Sequence, residues 1–150
     1  MPMKKPSFDV IFMELAQNLA LRSHCTRAQV GCVLTKDTRI ISIGYNGPPA
    51  GTHNCDDEFG EDGCPRDSKG SCSLALHAEQ NAIVQAARFG VSLDGSTLYC
   101  KMTPCYTCAK MIINAGIKRV VCAQDYHASA RSKEIFKEAG LEFALLSEDM

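Results

Sequence analysis

The sequence predicts an α/β fold in a single domain spanning residues 1–150, with one five-stranded mixed β-sheet and helices on both faces. Two observations carry this prediction. Helix and strand patterns alternate in the order α-ββ-α-β-α-β-α-β, which indicates right-handed crossovers and a parallel half-sheet. Asp37-Thr38 separates the first two strand patterns by a turn of two residues, which favours a hairpin and an antiparallel half-sheet. A chain of 150 residues is long enough to bury a core of its own.

The first half of the chain contains one predicted helix and the hairpin. Residues 7–23 follow a helical apolar period, and Ser7 can cap the N-terminus of this helix. Residues 29–36 and 39–45 predict the two hairpin strands. The next segment, residues 46–73, is rich in Gly, Pro, Asp, Asn and Cys and is too long for an ordinary connection. We therefore expect this segment to be functional or stapled by a metal.

The second half alternates three helices with three strands. Gly90, Gly116 and Gly140 mark the helix ends, because glycine readily takes the left-handed conformation after a last helical turn. The predicted helices span residues 77–89, 105–115 and 132–139, and the predicted strands span residues 97–102, 119–123 and 141–146. No linker or internal repeat divides the pattern.

The charge balance bears on the partners of the protein. The chain has 16 basic and 17 acidic residues, a net charge of −1 and a pI of about 6.4. Because proteins that hold polynucleotides usually present a basic surface, this balance favours a small substrate over DNA or RNA. No apolar run approaches the roughly 20 residues of a transmembrane helix, and the first residues lack the pattern of a signal peptide. We expect a cytoplasmic protein without a membrane partner.

The nine cysteines indicate metal sites or buried thiols, because disulfides are rare in a reducing compartment. Cys32, Cys100 and Cys122 each fall within a strand pattern. We expect these three side chains to be buried as small hydrophobic groups.

One histidine and two cysteines form a candidate catalytic metal site, in residues 77–79 (HAE) and 104–108 (PCYTC). His77, Cys105 and Cys108 are a credible zinc triad that leaves a fourth position for water. We expect Pro104 in the first turn of a helix and the two cysteines on one face of it, where the helix N-terminus lowers thiol pKa values. Glu79 is not needed as a ligand, and at a helix start it can face the bound water.

Five segments occur in the order found in a known enzyme family. They are residues 23–31 (SHCTRAQVG), 44–51 (GYNGPPAG), 54–57 (NCDD), 77–82 (HAEQNA) and 104–108 (PCYTC). The His-x-Glu and Pro-Cys-x-x-Cys pair is the signature of the zinc nucleobase deaminases. With the other segments, the chain resembles the deoxycytidylate (dCMP) deaminases of the bacterial and phage type, within the zinc-dependent cytidine/deoxycytidylate deaminase superfamily. The resemblance implies the cytidine deaminase-like fold, which also has a five-stranded mixed sheet.

The resemblance implies a hydrolase that acts on a cyclic amidine C–N bond. It would convert dCMP and water to dUMP and ammonia, a reaction that feeds thymidylate synthesis in pyrimidine nucleotide metabolism. Zn²⁺ would be held by His77, Cys105 and Cys108, and Glu79 would transfer protons.

Four further residues are implied to bind the substrate: Asn46, Arg27, Ala78 and Tyr126. Asn46 would hold the sugar 3′-hydroxyl and the pyrimidine, and Arg27 would grip the 5′-phosphate. Tyr126 would line the pocket beyond the fourth strand. Plainer alternatives stay open, because Asn46 suits a turn, Arg27 can be a surface cation and Tyr126 can lie at the rim of the core.

The resemblance also implies a regulated oligomer. The family forms homohexamers that dCTP activates and dTTP inhibits, with Mg²⁺ accompanying the triphosphate. The residues here called the effector loop are Gly44, Tyr45, Asn46, Gly47 and Gly51. Arg88 matches a position linked to subunit contacts, although a cation there also suits the C-terminus of its helix.

A second, structural zinc is the last expectation, and its predicted ligands are Cys25, Cys55, Cys64 and Cys72. Residues 46–73 have too few apolar side chains to order themselves without such a staple. By resemblance, Cys25 and Cys55 match the first two ligands of a site in some phage relatives. The other two ligands there are histidines, so His24 and His53 are substitutes for Cys64 and Cys72. The alternative is that these thiols are free.

Three other functions compete with dCMP deamination. A tRNA or DNA editing deaminase can share the two zinc motifs, but the balanced charge and the segments at 44–51 and 54–57 argue against it. A free-nucleoside cytidine deaminase typically has Cys in place of His77. A zinc-stapled binding module is the non-enzyme alternative, and Glu79, which such a module does not need, argues against it. The sequence leaves open whether dCTP is an additional substrate.

Overall fold

The computed structural model describes residues 3–25, 28–54, 74–126 and 128–146. These residues form four α-helices and five β-strands. The helices are α1 (Phe8–Leu19, continued by a 3₁₀ turn, Ala20–Arg22), α2 (Ala78–Arg88), α3 (Tyr106–Asn114) and α4 (Ala130–Glu138). The strands are β1 (Gly31–Lys36), β2 (Arg39–Tyr45), β3 (Thr97–Met102), β4 (Arg119–Gln124) and β5 (Glu142–Leu145). Every predicted helix and strand is confirmed, with small differences at the ends.

The five strands form one mixed sheet in the order β2-β1-β3-β4-β5. β1 runs antiparallel to β2 and β3, whereas β3, β4 and β5 are mutually parallel. Asp37 and Thr38 connect β1 to β2 with φ angles of 52° and 61°, the left-handed pair that a type I′ turn requires. The predicted hairpin and the division into antiparallel and parallel halves are therefore confirmed.

Helices cover both faces of the sheet, one on the first face and three on the second. On the first face, Phe12, Met13 and Ala16 of α1 pack against Val33, Tyr99 and Val121. On the second face, the side chains of α2, α3 and α4 meet those of β1, β3 and β4; they include Ala82, Ala86, Ile112, Phe136, Cys32, Leu34, Leu98, Cys100, Val120 and Cys122. The burial predicted for the three strand cysteines is confirmed.

A charged cluster ties α1 to the sheet. Asp9 accepts hydrogen bonds from the Arg119 guanidinium at 2.9 and 2.8 Å and from the Tyr99 hydroxyl at 2.6 Å. The Arg119 guanidinium lowers the pKa of the Asp9 carboxyl. The Asp9–Arg119 ion pair joins residues that are distant in sequence, and with the Tyr99 hydrogen bond it fixes how α1 lies across β3 and β4.

The start of α2 lies directly on β2, because Gly44 has no side chain to hold it away. A Cβ atom built on Gly44 would lie 2.4 Å from the carbonyl oxygen of Ala78 and 2.6 Å from the amide nitrogen of Ala82. The Asn81 side-chain amide also donates to the Tyr45 carbonyl at 2.8 Å. The end of β2 thus determines where the first turn of α2 lies. Among the residues described here, no helix is both long and apolar enough to cross a membrane.

Candidate active site

Two helix starts bring the predicted metal ligands together. His77 is the N-cap residue of α2 and Cys105 is the N-cap residue of α3, and both have extended backbones with ψ angles of 157° and 167°. Cys108 lies in the first turn of α3 and is buried. The expectation that Pro104 lies in the first turn of this helix was wrong. Because Cys105 is still extended, the helix begins after it and Pro104 precedes the cap.

The three ligand atoms lie close to the spacing that a tetrahedral zinc ion requires. His77 Nδ1 lies 3.2 Å from Cys108 Sγ and 3.5 Å from Cys105 Sγ, and all three atoms lie within 4.8 Å of one another. Zinc–sulfur bonds of about 2.3 Å and zinc–nitrogen bonds of about 2.0–2.1 Å would place such N and S ligands about 3.5–3.6 Å apart. The residues therefore fit zinc with three protein ligands, and tetrahedral geometry leaves a fourth position.

The two thiols are electrostatically unequal. A hydrogen bond from Cys108, assisted by His77, lowers the pKa of Cys105 to about 4. The pKa of Cys108 moves in the opposite direction, first because of Cys105 and then because of burial and nearby Glu79. The pair thus favours one thiolate over two, because two neighbouring negative charges repel each other. A bound cation would let both sulfurs ionise.

Glu79 is the buried carboxylate beside this ligand set. It lies in the first turn of α2 and is 5% exposed. Burial raises its pKa, which a hydrogen bond from Cys100 opposes. The Cys100 sulfur lies 3.2 Å from Oε1 of the carboxylate. Glu79 is not among the three grouped ligands. A buried carboxylate beside a metal site is a candidate for general acid–base chemistry.

The side chain of Asn46 holds the segment that leads into β1. Its Oδ1 accepts a hydrogen bond from the Val30 amide at 2.9 Å, and its Nδ2 donates to the Ala28 carbonyl at 2.8 Å. Its own carbonyl accepts from the Ser23 hydroxyl at 2.8 Å. Asn46 therefore has a structural role whether or not it also contacts a sugar.

The rest of the effector loop divides into two parts. Gly44 and Tyr45 belong to β2 and lie against α2, and Gly47 pairs with Leu76 through backbone hydrogen bonds of 3.1 and 2.8 Å. Gly51 has a φ of +84° and is exposed. Gly44, Tyr45 and Gly47 are thus connected to the start of α2, which His77 caps.

The remaining predicted site residues are spread along the chain. Ala78 is fully buried at the start of α2, and Tyr126 is half-buried just beyond β4. Arg88 is exposed in the last turn of α2, with its guanidinium 5.6 Å from the centre of the Phe89 ring. Cys25 is half-buried and forms no disulfide with any other described cysteine. Arg27, Cys55, Cys64 and Cys72 lie outside the described residues.

Two residues near the site were missed by the sequence interpretation. One is Cys100, which was predicted only as a buried hydrophobic group. The other is Asp125, which accepts hydrogen bonds from Thr103 at 3.0 Å, from Ser129 at 2.8 Å and from Lys133. Asp125 joins the segment before Cys105 to the segment that carries Tyr126. Its place directly after a strand was a usable signal, because strand ends in α/β sheets line binding sites.

The chain is similar to known deaminases over most of its length. Residues 6–124 match the family described as the cytidine and deoxycytidylate deaminase zinc-binding region. The deoxycytidylate deaminase of Saccharomyces cerevisiae is 41% identical over 145 residues, which cover 93% of this chain. The deoxycytidylate deaminase of Mycobacterium phage D29 is 38% identical over 131 residues, which cover 79% of this chain and 96% of that protein.

A solved structure agrees with these matches. The crystal structure of dCMP deaminase from cyanophage S-TIM5 in complex with dCMP and dUMP has a TM-score of 0.79 and 33% sequence identity. That match covers 96% of this chain and all of the cyanophage chain. The chain spans less than half the length of two yeast relatives, 45% of the Saccharomyces cerevisiae protein and 44% of the Schizosaccharomyces pombe protein. The match over residues 6–124 and the shared fold show that the chain belongs to the cytidine and deoxycytidylate deaminase family.

Proposed function

We propose that this protein hydrolyses dCMP to dUMP and ammonia. The observation that carries the proposal is the set of three ligands, His77, Cys105 and Cys108, with the buried non-ligating carboxylate of Glu79 beside it. A structural zinc site uses four protein ligands, whereas a hydrolytic site keeps one position for water. Relatives named deoxycytidylate deaminase support dCMP as the substrate.

The reaction requires metal binding by three residues of this chain and proton transfer by a fourth. A zinc ion held by His77, Cys105 and Cys108 would supply a Lewis acid that lowers the pKa of water to about 7. Glu79 takes the first proton from water and delivers it to N3 of the cytosine ring, while the oxygen adds to C4. Glu79 then carries the second proton to the amino group, and the C4–N bond breaks to release ammonia. Burial suits Glu79 for this work, because its raised pKa brings the carboxyl closer to the acidity of the groups with which it exchanges protons.

Substrate recognition would come from residues around this centre. We propose that Asn46 contacts the sugar 3′-hydroxyl and the pyrimidine, that Arg27 binds the 5′-phosphate, and that Ala78 and Tyr126 line the pocket. The position of Asn46 between Ala28 and Val30 supports this, because its amide connects the segment beside Arg27 with the end of β2. Replacement of Asn46 would therefore affect stability as well as binding.

The regulatory and assembly expectations stay proposals. We propose a homohexamer with Arg88 at a subunit contact, activation by dCTP with Mg²⁺, and inhibition by dTTP. The effector loop supports a link to the site, since Gly44 and Gly47 contact the segment where α2 begins. The structural zinc at Cys25, Cys55, Cys64 and Cys72 also stays a proposal, as does the cytoplasmic location.

An assay of ammonia release tests the function. Zinc-loaded protein is incubated separately with dCMP, dCTP, deoxycytidine and an oligonucleotide containing cytosine and adenine. We expect turnover of dCMP and none of the oligonucleotide. Turnover of the oligonucleotide or deoxycytidine in preference to dCMP would contradict the proposal, and no turnover of any of the four would favour a zinc-stapled binding module.

A further inference from the structure

Three buried cysteines lie side by side under the candidate active site. Cys100 pairs with Cys32 of β1 and with Cys122 of β4 in the sheet register. Each of the three side chains is at most 1% exposed, and all three face the layer of helices that carries the metal ligands. They differ in the acceptors they reach, because the Cys122 thiol donates to the Met102 carbonyl at 3.5 Å and the Cys100 thiol donates to Oε1 of Glu79 at 3.2 Å.

The hydrogen bond from Cys100 has a consequence for the orientation of Glu79. A buried carboxylate away from water needs donors, and a terminal carboxylate torsion has a broad energy minimum that leaves the group free to rotate. A donor fixed on a central strand removes that freedom. The thiol bonded to Oε1 therefore restricts how the carboxylate can rotate.

Cys100 can hold this role without reacting. The side chain is buried between the strands that carry Cys32 and Cys122. A hydrogen bond with Cys32 and then burial raise the pKa of the Cys100 thiol well above its ordinary range. The group therefore stays a protonated thiol and acts as a donor. A thiol is a weak donor, so the expected effect on the reaction is modest.

We propose that Cys100 is a positioning residue for the deamination. Its thiol donates a hydrogen bond to Oε1 of Glu79 and sets the plane of the carboxylate that carries protons between water and the cytosine ring. The inference rests on the proposed function, since it assigns a supporting role for the proton transfer by Glu79.

A matched pair of substitutions tests the role. Cys100→Val replaces the thiol by a slightly larger apolar side chain that has no donor. Cys122→Val makes the same change on the neighbouring strand, where the thiol donates to the Met102 carbonyl and not to Glu79. We expect Cys100→Val to lower kcat by about three- to tenfold with KM unchanged, the range for loss of one weak hydrogen bond. Cys122→Val should stay within about twofold of the parent. Equal kcat values for the two variants would overturn the proposal.

Infrared spectroscopy of the S–H stretch gives a readout that does not depend on turnover. We expect the S–H band of Cys100 at a lowered frequency in the zinc-loaded parent protein and in Cys122→Val. The band should be absent from Cys100→Val. In Glu79→Ala it should return toward the ordinary frequency. A Cys100 band that Glu79→Ala leaves unchanged would overturn the proposal even if a valine variant failed to fold. A parent protein that shows the shifted band but leaves dCMP intact would overturn the proposed function, while the band would still support the thiol–carboxylate contact.

Discussion

Replacement of Gly44 by alanine should disturb the active site from a distance. The new Cβ atom would lie 2.4 Å from the Ala78 carbonyl oxygen and 2.6 Å from the Ala82 amide nitrogen, whereas ordinary contacts begin near 3.4 Å. Both neighbours are backbone atoms of α2, so no side chain can rotate away. The helix must therefore retreat from β2 by about 1 Å, which is large for a packed interior.

This displacement of α2 from β2 would lower both the stability and the catalytic rate. Overpacking of this kind costs about 1–3 kcal/mol of unfolding free energy. His77 caps α2 and Glu79 lies in its first turn, so both would move relative to Cys105 and Cys108. A misplacement of about 1 Å at a reacting centre can lower kcat by roughly a hundredfold. The fall in kcat would be smaller if α2 adjusts so that His77 and Glu79 move by less than this.

Gly47→Ala is the matched control for this experiment. It changes the same type of residue three positions along the chain, but among the described residues its Cβ atom would meet only the Tyr45 ring, at 4.0 Å. Thermal unfolding, zinc content and dCMP turnover are measured for both variants. We expect Gly44→Ala to lose stability and at least about tenfold in kcat, with Gly47→Ala close to the parent. Equal behaviour of the two variants would refute the argument that the end of β2 positions α2.

Three further predictions concern stability, metal content and assembly. Asp9→Asn should lower the unfolding free energy by about 1–3 kcal/mol at pH 7 in urea titrations. Because Arg119 lowers the folded pKa of Asp9, this contribution is complete above the ordinary carboxyl pKa of about 4 and is lost as the pH falls through the folded value, so parent and variant should converge in acid. Plasma emission should give two zinc ions per chain in the parent and about one in Cys64→Ser/Cys72→Ser; one zinc in both would refute the structural site. Light scattering should show a hexamer, with dCTP making the dCMP saturation curve less sigmoidal and dTTP shifting it to the right; a monomer with hyperbolic kinetics insensitive to either would exclude both parts.

Local signals in the sequence were sufficient to predict most of the fold. The two-residue turn at Asp37-Thr38 predicted the hairpin, and the glycines after the helices predicted their ends. Gly90, Gly116 and Gly140 all have φ angles near +70° to +85°, as a left-handed residue after a helix requires. These features depend on neighbouring residues, which is why a single sequence reveals them.

The candidate site was predictable in its residues but not in all of its contacts. The spacing of His77, Cys105 and Cys108 predicted a group that the structure brings together as candidate ligands. Spacing could not tell whether Cys105 is the cap or the first helical residue. The hydrogen bond from Cys100 to Glu79 joins a strand to a helix 21 positions away. Such a contact depends on how α2 lies on the sheet, and that packing depends in turn on the close approach at Gly44.

In the proposed reaction Glu79 transfers protons and does not hold the metal. Glu79→Gln keeps the size of the side chain and removes its ability to carry a proton, so zinc content and dCMP turnover are measured on one preparation of this variant. We expect zinc at the catalytic site to match the parent and kcat to fall by at least about 10²–10⁴-fold. A variant that keeps a tenth of the parent rate, or that loses the catalytic zinc, would contradict the account.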